Sequence, residues 1–342
     1  MEVFAENTLF IGPLQGNTGP ANVNKSLVNC WPRQIIALDG RTKFKKIVNL
    51  IRLLGKTDVV FSMEYSWSGW IAFRLCRLVK KPYVALIHGY VPYENAINHL
   101  GIKQSACTRY EKWLSGSTKI VVFSNVQKKL MTSFLPQIKE KIVPCPMTIK
   151  SRKICSIDRD NPKPVVAVSG GTRPIKNNEK AYEAVKRFCS LYNSSCEFRI
   201  YGRDYCGDKH CFDDGSKVCS IRFMGQVPNE QFEEDLKHVD LLIMASMHEP
   251  FGISAIDALQ SGASLLVSEH CGVAEAINVS KQDVIYDSDS LEIVASKIKQ
   301  VLRCPNAQRL MEGFDYKKYS DLNAAEEVWR VCNKAVMEQR DA

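Results

Sequence analysis

The 342-residue chain is 45% hydrophobic and 24% charged with a net charge of +9. That balance fits a globular protein, and the length suits two cores better than one. No stretch offers the roughly 18 uncharged apolar residues of a membrane-spanning helix, and the 13 scattered cysteines lack the ordered spacing of a disulfide framework. The charge is unevenly divided: residues 1–150 hold 21 lysines and arginines against 8 acids, the rest 25 against 29.

In chain order, "TLFIGP" reads as a strand that empties into "IGPLQGNTGPANVNKSL", where Gly12, Gly16 and Gly19 precede a helix. Glycines let a backbone approach a phosphate or sugar, and a helix N-terminus offers N–H groups to an anion. The spacing is not GxGxxG, and a plain strand-to-helix turn looks the same. After a strand at "RQIIAL", the segment "RTKFKKIVNLIRLLGK" predicts a basic amphipathic helix. There Phe44, Ile47, Val48, Ile51 and Leu54 recur beneath Lys43, Lys45, Lys46, Arg52 and Lys56. Such a helix covers a sheet, and its cations also suit an anionic membrane surface. Strands at "DVVFSM", "YVALIHG", "KIVVFS" and "KIVPCP" follow, the second of them ending in His88 and Gly89.

The segment "PCPMTIKSRKICSIDRDNPKP" loses apolar periodicity and marks a boundary. Beyond it, strands are expected at "VVAVSGG", "EFRIYG", "IRFMGQV", "DLLIMAS", "ASLLVSE" and "DVIYD". Strands alternating with amphipathic segments predict two doubly wound α/β domains, over residues 1–150 and 151–320. A helix over 321–342 is expected to pack back on the first. Ligands of such sheets bind at the carboxyl ends of the strands.

Two features stand at such ends in the second half. "VVAVSGGTRPIKNN" sets Arg173 and Lys176 beside a glycine turn, a pairing suited to a diphosphate. "HEPFGISAIDALQSGA" breaks a strand at Pro250 and Gly252 and restarts the chain as a helix. That leaves Glu249 in the loop, Gly252 and Ile253 with amides for an anion, and Asp257 a turn into the helix with a carboxylate for hydroxyls. Between them, "CGDKHCF" with Cys206, His210 and Cys211, followed by Cys219, lacks a recognised zinc spacing and reads as a surface loop.

The stretch from "MGQVPNEQF" through "HEPFGISAIDALQSGA" to "CGVAEAI" resembles the E-x7-E segment of the retaining GT-B glycosyltransferases, specifically glycosyltransferase family 4. The resemblance continues through "DVVFSMEYSWSGW", "YVALIHGY" and "KIVVFSNVQKKL". It implies two Rossmann-like domains facing across a cleft, and transfer of a sugar from a nucleotide diphosphate sugar to an acceptor hydroxyl with retained configuration, without metal or other cofactor. It also implies site roles. Glu249 would take the donor sugar's hydroxyls and Asp257 the ribose. Gly252 and Ile253, with Phe251 beside them, would hold the diphosphate, neutralised by Lys176 and an arginine. His88 and the loop of Gly12 and Gly16 would meet the sugar's far side. Two departures stand out: Asp257 replaces a glutamate, and the arginine expected five residues before Lys176 falls on Gly171, leaving Arg173 as the nearby substitute.

The expected acceptor is a lipid-linked or growing glycan of a bacterial surface polysaccharide, bound by the basic half. The opening residues have acids where a secretion signal has lysines, so a cytoplasmic protein attached to an anionic membrane face is expected. Nucleic acid is not expected as a partner, because the basic half lacks a stacking platform. The alternatives are a non-catalytic scaffold on the same fold or a nucleotide-sugar epimerase.

Overall fold

The computed structural model describes residues 4–15, 19–40, 42–63, 65–155, 161–204 and 219–340. The chain divides into two compact units, one of residues 1–151 and 316–342, the other of residues 152–315. Each is built on a six-stranded parallel sheet.

In the first unit the strands are β1 (Asn7–Ile11), β2 (Gln34–Ala37), β3 (Val59–Met63), β4 (Tyr83–Leu86), β5 (Lys119–Val122) and β6 (Ile142–Pro144). The helices are α1 (Gly19–Asn29), α2 (Lys43–Leu54), α3 (Trp67–Leu78), α4 (Val91–Asn98), α5 (Gln104–Gly116) and α6 (Asn125–Phe134). The sheet order is β2-β1-β3-β4-β5-β6. Central strands such as "VVFSM" are buried at every residue, as a parallel sheet covered on both faces requires. Beneath α3 and α5, Trp113 and Tyr83 are almost wholly buried. Trp113 Nε1 donates to the Tyr83 hydroxyl, which donates to the Gly69 carbonyl, each at 3.0 Å. This keeps two buried polar atoms paired inside an aromatic cluster.

In the second unit the strands are β7 (Val165–Ser169), β8 (Cys196–Tyr201), β9 (Cys219–Gly225), β10 (Leu241–Met244), β11 (Ser264–Ser268) and β12 (Val284–Ile285). The helices are α7 (Asn178–Tyr192), α8 (Asn229–Leu236), α9 (Ile253–Gln260), α10 (Leu291–Arg303) and α11 (Ala307–Leu310). The order β12-β11-β10-β7-β8-β9 reverses direction between β7 and β10. The loops leaving those two strands therefore part to opposite faces and open a crevice between them.

The last helix, α12 (Asp321–Arg340), belongs to the first unit and lies on β3, β4, β5 and α1. Ala324, Ala325, Val328, Cys332 and Ala335 form its buried stripe, small enough to bring the helix close to the sheet. Polar ties fix its register. Trp329 Nε1 donates to the Ala5 carbonyl at 3.0 Å, Ala5 N–H donates to Asn333 Oδ1 at 2.8 Å, and Lys119 Nζ pairs with Glu338 at 2.8 Å.

One expectation is corrected at α2. Thr42 caps the helix, its Oγ1 accepting from Lys45 N–H at 3.2 Å, and its buried residues are Leu50 and Leu54. Phe44, Val48 and Ile51, expected beneath the lysines, are 75%, 48% and 59% exposed. Of the expected run only Leu54 is buried, so the run winds from the outer face of the helix to its packed side.

Candidate active site

β7 ends in Gly170 and Gly171 with φ of +89° and +66°, a left-handed pair that only glycine adopts freely. A Cβ on Gly171 would collide with the Arg203 carbonyl oxygen, so no arginine fits there and its absence has a steric cause. A Cβ on Gly170 would meet the stem of Lys176, whose side chain therefore lies across that glycine. The loop is pinned by Asn178, whose Nδ2 donates to the carbonyls of Ser169 at 3.1 Å and Gly171 at 2.7 Å. Pro174–Lys176 forms a short 3₁₀ turn that presents Lys176 at the crevice. Arg173 precedes the turn, half-buried, and among the described residues no ion pair engages it.

On the other side of the crevice, the loop after β10 is held to this turn by Met247 N–H donating to the Ile175 carbonyl at 2.9 Å. Glu249 pairs with the segment after β11 through both backbone groups: its N–H donates to the His270 carbonyl at 3.0 Å, and its carbonyl accepts from Gly272 N–H at 2.9 Å. Phe251 is 1% exposed and anchors the loop in the core. Gly252, with φ of +104°, caps α9. A Cβ there would lie 2.9 Å from Met244 Cε and 3.2 Å from Glu249 Cγ. The N–H groups of Ile253 and Ser254 at the start of α9 precede its intrahelical bonds and carry the positive end of the helix dipole, whereas Ala255 N–H already donates to the Gly252 carbonyl at 3.0 Å.

The two loops meet in an ion pair between Lys176 Nζ and Glu249 Oε2, both side chains largely shielded from solvent. Ser169 Oγ and Ser254 Oγ lie 3.0 Å apart, which puts the end of β7 against the first turn of α9. One crevice thus contains a cation, a carboxylate and a helix N-terminus. Burial lowers the pKa of the neighbouring His248 from 6.5 to about 4, against the opposing pull of Glu249.

Asp257 is not left facing open solvent. Its Oδ1 accepts from Arg152 Nη2 at 2.7 Å, and Arg152 Nη1 reaches Glu233 Oε2 at 2.6 Å. A second tie, Cys155 N–H to the Gln260 carbonyl at 2.9 Å, lays residues 152–155 along α9. A ribose hydroxyl would have to share Asp257 with this guanidinium.

In the first unit, His88 Nε2 lies 3.2 Å from Asn24 Oδ1, and Asn24 Nδ2 donates to the Pro13 carbonyl at 2.9 Å. The second contact makes Oδ1 the acceptor in the first, so His88 carries its proton on Nε2 and leaves Nδ1 as an acceptor. Burial lowers its pKa to about 4, so the ring is neutral at physiological pH. Gly12 has a packing reason: a Cβ there would meet Phe10 Cζ at 2.8 Å and Met63 Cβ at 3.2 Å. Gly16 and the segment of Cys206, His210 and Cys211 lie outside the described residues, whereas Cys219 is buried in β9.

Residues 150–318 match the family described as "Glycosyl transferases group 1". The second unit, residues 152–315, lies within that match. The chain is 31% identical over 80 residues to mannosylfructose-phosphate synthase of Agrobacterium fabrum, covering 22% of this chain and 18% of that protein. Over the first curated relatives, the matched stretch spans between 18% and 35% of their own length. Solved structures resemble the chain from end to end. One is the Anabaena protein HepE in complex with UDP and glucose, with 98% of both chains covered, a TM-score of 0.59 and 10% identity. Another is a glycosyltransferase involved in lipopolysaccharide biosynthesis, with 95% of this chain and 99% of that one covered, a TM-score of 0.61 and 14% identity. At such identities the likeness is one of fold: two parallel-sheet Rossmann-like domains, consistent with GT-B.

Four residues of the second unit, Arg152, Glu269, His270 and Asp287, escaped the sequence reading. Arg152 sits in the segment read as a boundary, and nothing in its spacing links it to Asp257 more than 100 residues on. His270 and Asp287 bracket β12, with His270 Nε2 2.9 Å from Asp287 Oδ2. Together with Glu269 they bring three potential metal-ligand atoms within 4.8 Å of one another, next to the strand-like bridge of Glu249. Asp289, two residues on, is neutralised by Lys297 at 2.6 Å.

Proposed function

We propose that this chain is a retaining glycosyltransferase of the family 4 type. It moves a hexosyl group from a nucleotide diphosphate sugar to a hydroxyl of a lipid-linked or growing bacterial glycan and uses no metal. The observation that carries this reading is the meeting of Lys176, Glu249 and the first turn of α9 at the β7/β10 crevice of a group 1 domain. The relatives support the same substrate classes, one solved with UDP and glucose and one involved in lipopolysaccharide biosynthesis.

In this reading the donor replaces the Lys176–Glu249 pair with two new ones. The diphosphate takes the cation and the α9 amides, and the sugar's hydroxyls donate to Glu249. As the bond from the anomeric carbon to the phosphate oxygen breaks, negative charge grows on the leaving diphosphate. Lys176 and the α9 amides, fixed beforehand, stabilise that charge more than the ground state. The acceptor oxygen bonds to the anomeric carbon on the same face, and its proton passes to the leaving phosphate oxygen, so no protein base is required. In the first unit, His88 Nδ1 offers a neutral acceptor for a sugar hydroxyl.

The test is incubation with a panel of nucleotide diphosphate sugars, scored by nucleotide release with and without glycan and lipid-linked acceptors, and by NMR of the anomeric linkage. Acceptor-dependent release with retained configuration is expected. No release with any donor points to a scaffold, and donor interconversion without acceptor points to an epimerase. A chelator is expected to leave the rate unchanged; its loss would direct attention to Glu269, His270 and Asp287.

A further inference from the structure

We propose that α2 and α3 form a surface that lies on an anionic lipid bilayer, with Phe44, Val48 and Ile51 entering the headgroup layer. The purpose of this contact rests on the glycosyl-transfer reading above, but the contact itself is carried by the first unit alone.

Positions 44, 48 and 51 follow one another at four and three residues, which puts them in a single stripe of α2. All three are exposed among the described residues, Phe44 at 75%. The adjoining face already seats Leu50 and Leu54 in the core, so the stripe is not needed for folding. α3 packs beside α2. Trp67, at its start, is 43% exposed, and Lys43 Nζ lies 5.7 Å from the centre of its ring.

The charge on these helices has one sign. α2 carries Lys43, Lys45, Lys46 and Arg52, α3 carries Arg74 and Arg77, and neither contains an aspartate or glutamate. A helix that combines cations with an outward apolar stripe suits a bilayer interface, where phosphates meet the first and acyl chains the second. A nucleic acid would meet the cations but gains little from Val48 and Ile51, which cannot stack on bases. An acidic protein would need a groove or ridge to match, and α2 presents a convex helix.

The orientation is informative. In a parallel sheet every strand ends at the same edge, and α2 and α3 begin just beyond the ends of β2 and β3. Phe44 and Trp67 therefore lie towards the edge that carries His88, at the end of β4. A bilayer held by this surface brings a lipid-linked acceptor to that edge without the acceptor leaving the membrane.

The experiment is sedimentation of the full chain with phosphatidylcholine vesicles, with and without phosphatidylglycerol, at low and high salt. The intact protein is expected to bind only the vesicles containing phosphatidylglycerol. The triple variant Phe44→Ser, Val48→Ser, Ile51→Ser leaves every charge in place and removes only exposed groups, so its melting temperature should hold while binding falls about tenfold or more at both salts. Unchanged binding by the triple variant overturns insertion, and failure of the intact protein to bind phosphatidylglycerol vesicles overturns the surface altogether. Transfer to a soluble acceptor, measured on the same samples, separates the two readings. Vesicle binding without turnover of any donor leaves this inference standing and removes the enzymatic one, and the reverse result does the opposite.

Discussion

Gly171 shows how a single position constrains the site. Its left-handed backbone and the Arg203 carbonyl exclude any side chain, so replacing it with arginine should destabilise the fold by about 2–4 kcal/mol rather than add a useful cation. A denaturant melt of Gly171→Arg measures this. Lys176 is left as the cation that meets Glu249, and it was legible because it follows a glycine turn after a strand. The bond between Asp257 and Arg152 was not legible, because an ion pair between distant positions leaves no local pattern. Replacing Arg152 with methionine should change donor KM more than kcat, since the guanidinium holds the acid assigned to ribose and, besides it, Glu233. An equal loss in both would contradict that role. His88 and His248 report through pH. Burial lowers both from 6.5 to about 4, so the unfolded chain binds more protons than the folded one between those values. Their contribution to stability is complete above pH 6.5 and is lost as pH falls towards about 4. Chemical denaturation across that window should show stability rising with pH, less steeply in His248→Gln.

At the level of elements, the twelve strand segments expected from apolar runs coincide with the twelve strands of the described residues, because inner strands buried on both faces must be continuously apolar and short. Helices are less transparent, and α2 shows why. Periodicity reveals that an apolar stripe exists, but not which of two stripes the sheet takes. Leu50 and Leu54 join the core cluster of Leu9, Ile11 and Val60 from β1 and β3, and of the expected run Phe44, Val48 and Ile51 were left outside. α9 is short and depends on its start. Gly252→Ala would force a Cβ towards Met244 and Glu249 at a left-handed φ, costing about 1–3 kcal/mol. It should also weaken nucleotide diphosphate binding, which calorimetry would detect as a higher Kd.

For the whole molecule, two sheets of the same connectivity class serve two ends. The second sheet reverses between β7 and β10, and that reversal, not any one residue, creates the crevice where the loops of Lys176 and Glu249 meet. The first unit has the basic surface and His88, and it is completed by α12 from the far end of the chain. Strand order was not readable from the segments themselves, since each run says only that it is a buried strand. The motif in 248–263 was readable because Glu249, Gly252 and Asp257 crowd into one strand-to-helix turn. The most direct measurement is the initial rate of donor turnover by Glu249→Ala beside the intact chain, with a thermal melt of each. A fall of about 100-fold or more, with the melt little changed, is the expected result. A rate within about threefold of the intact chain would contradict the assignment of this crevice as the donor site.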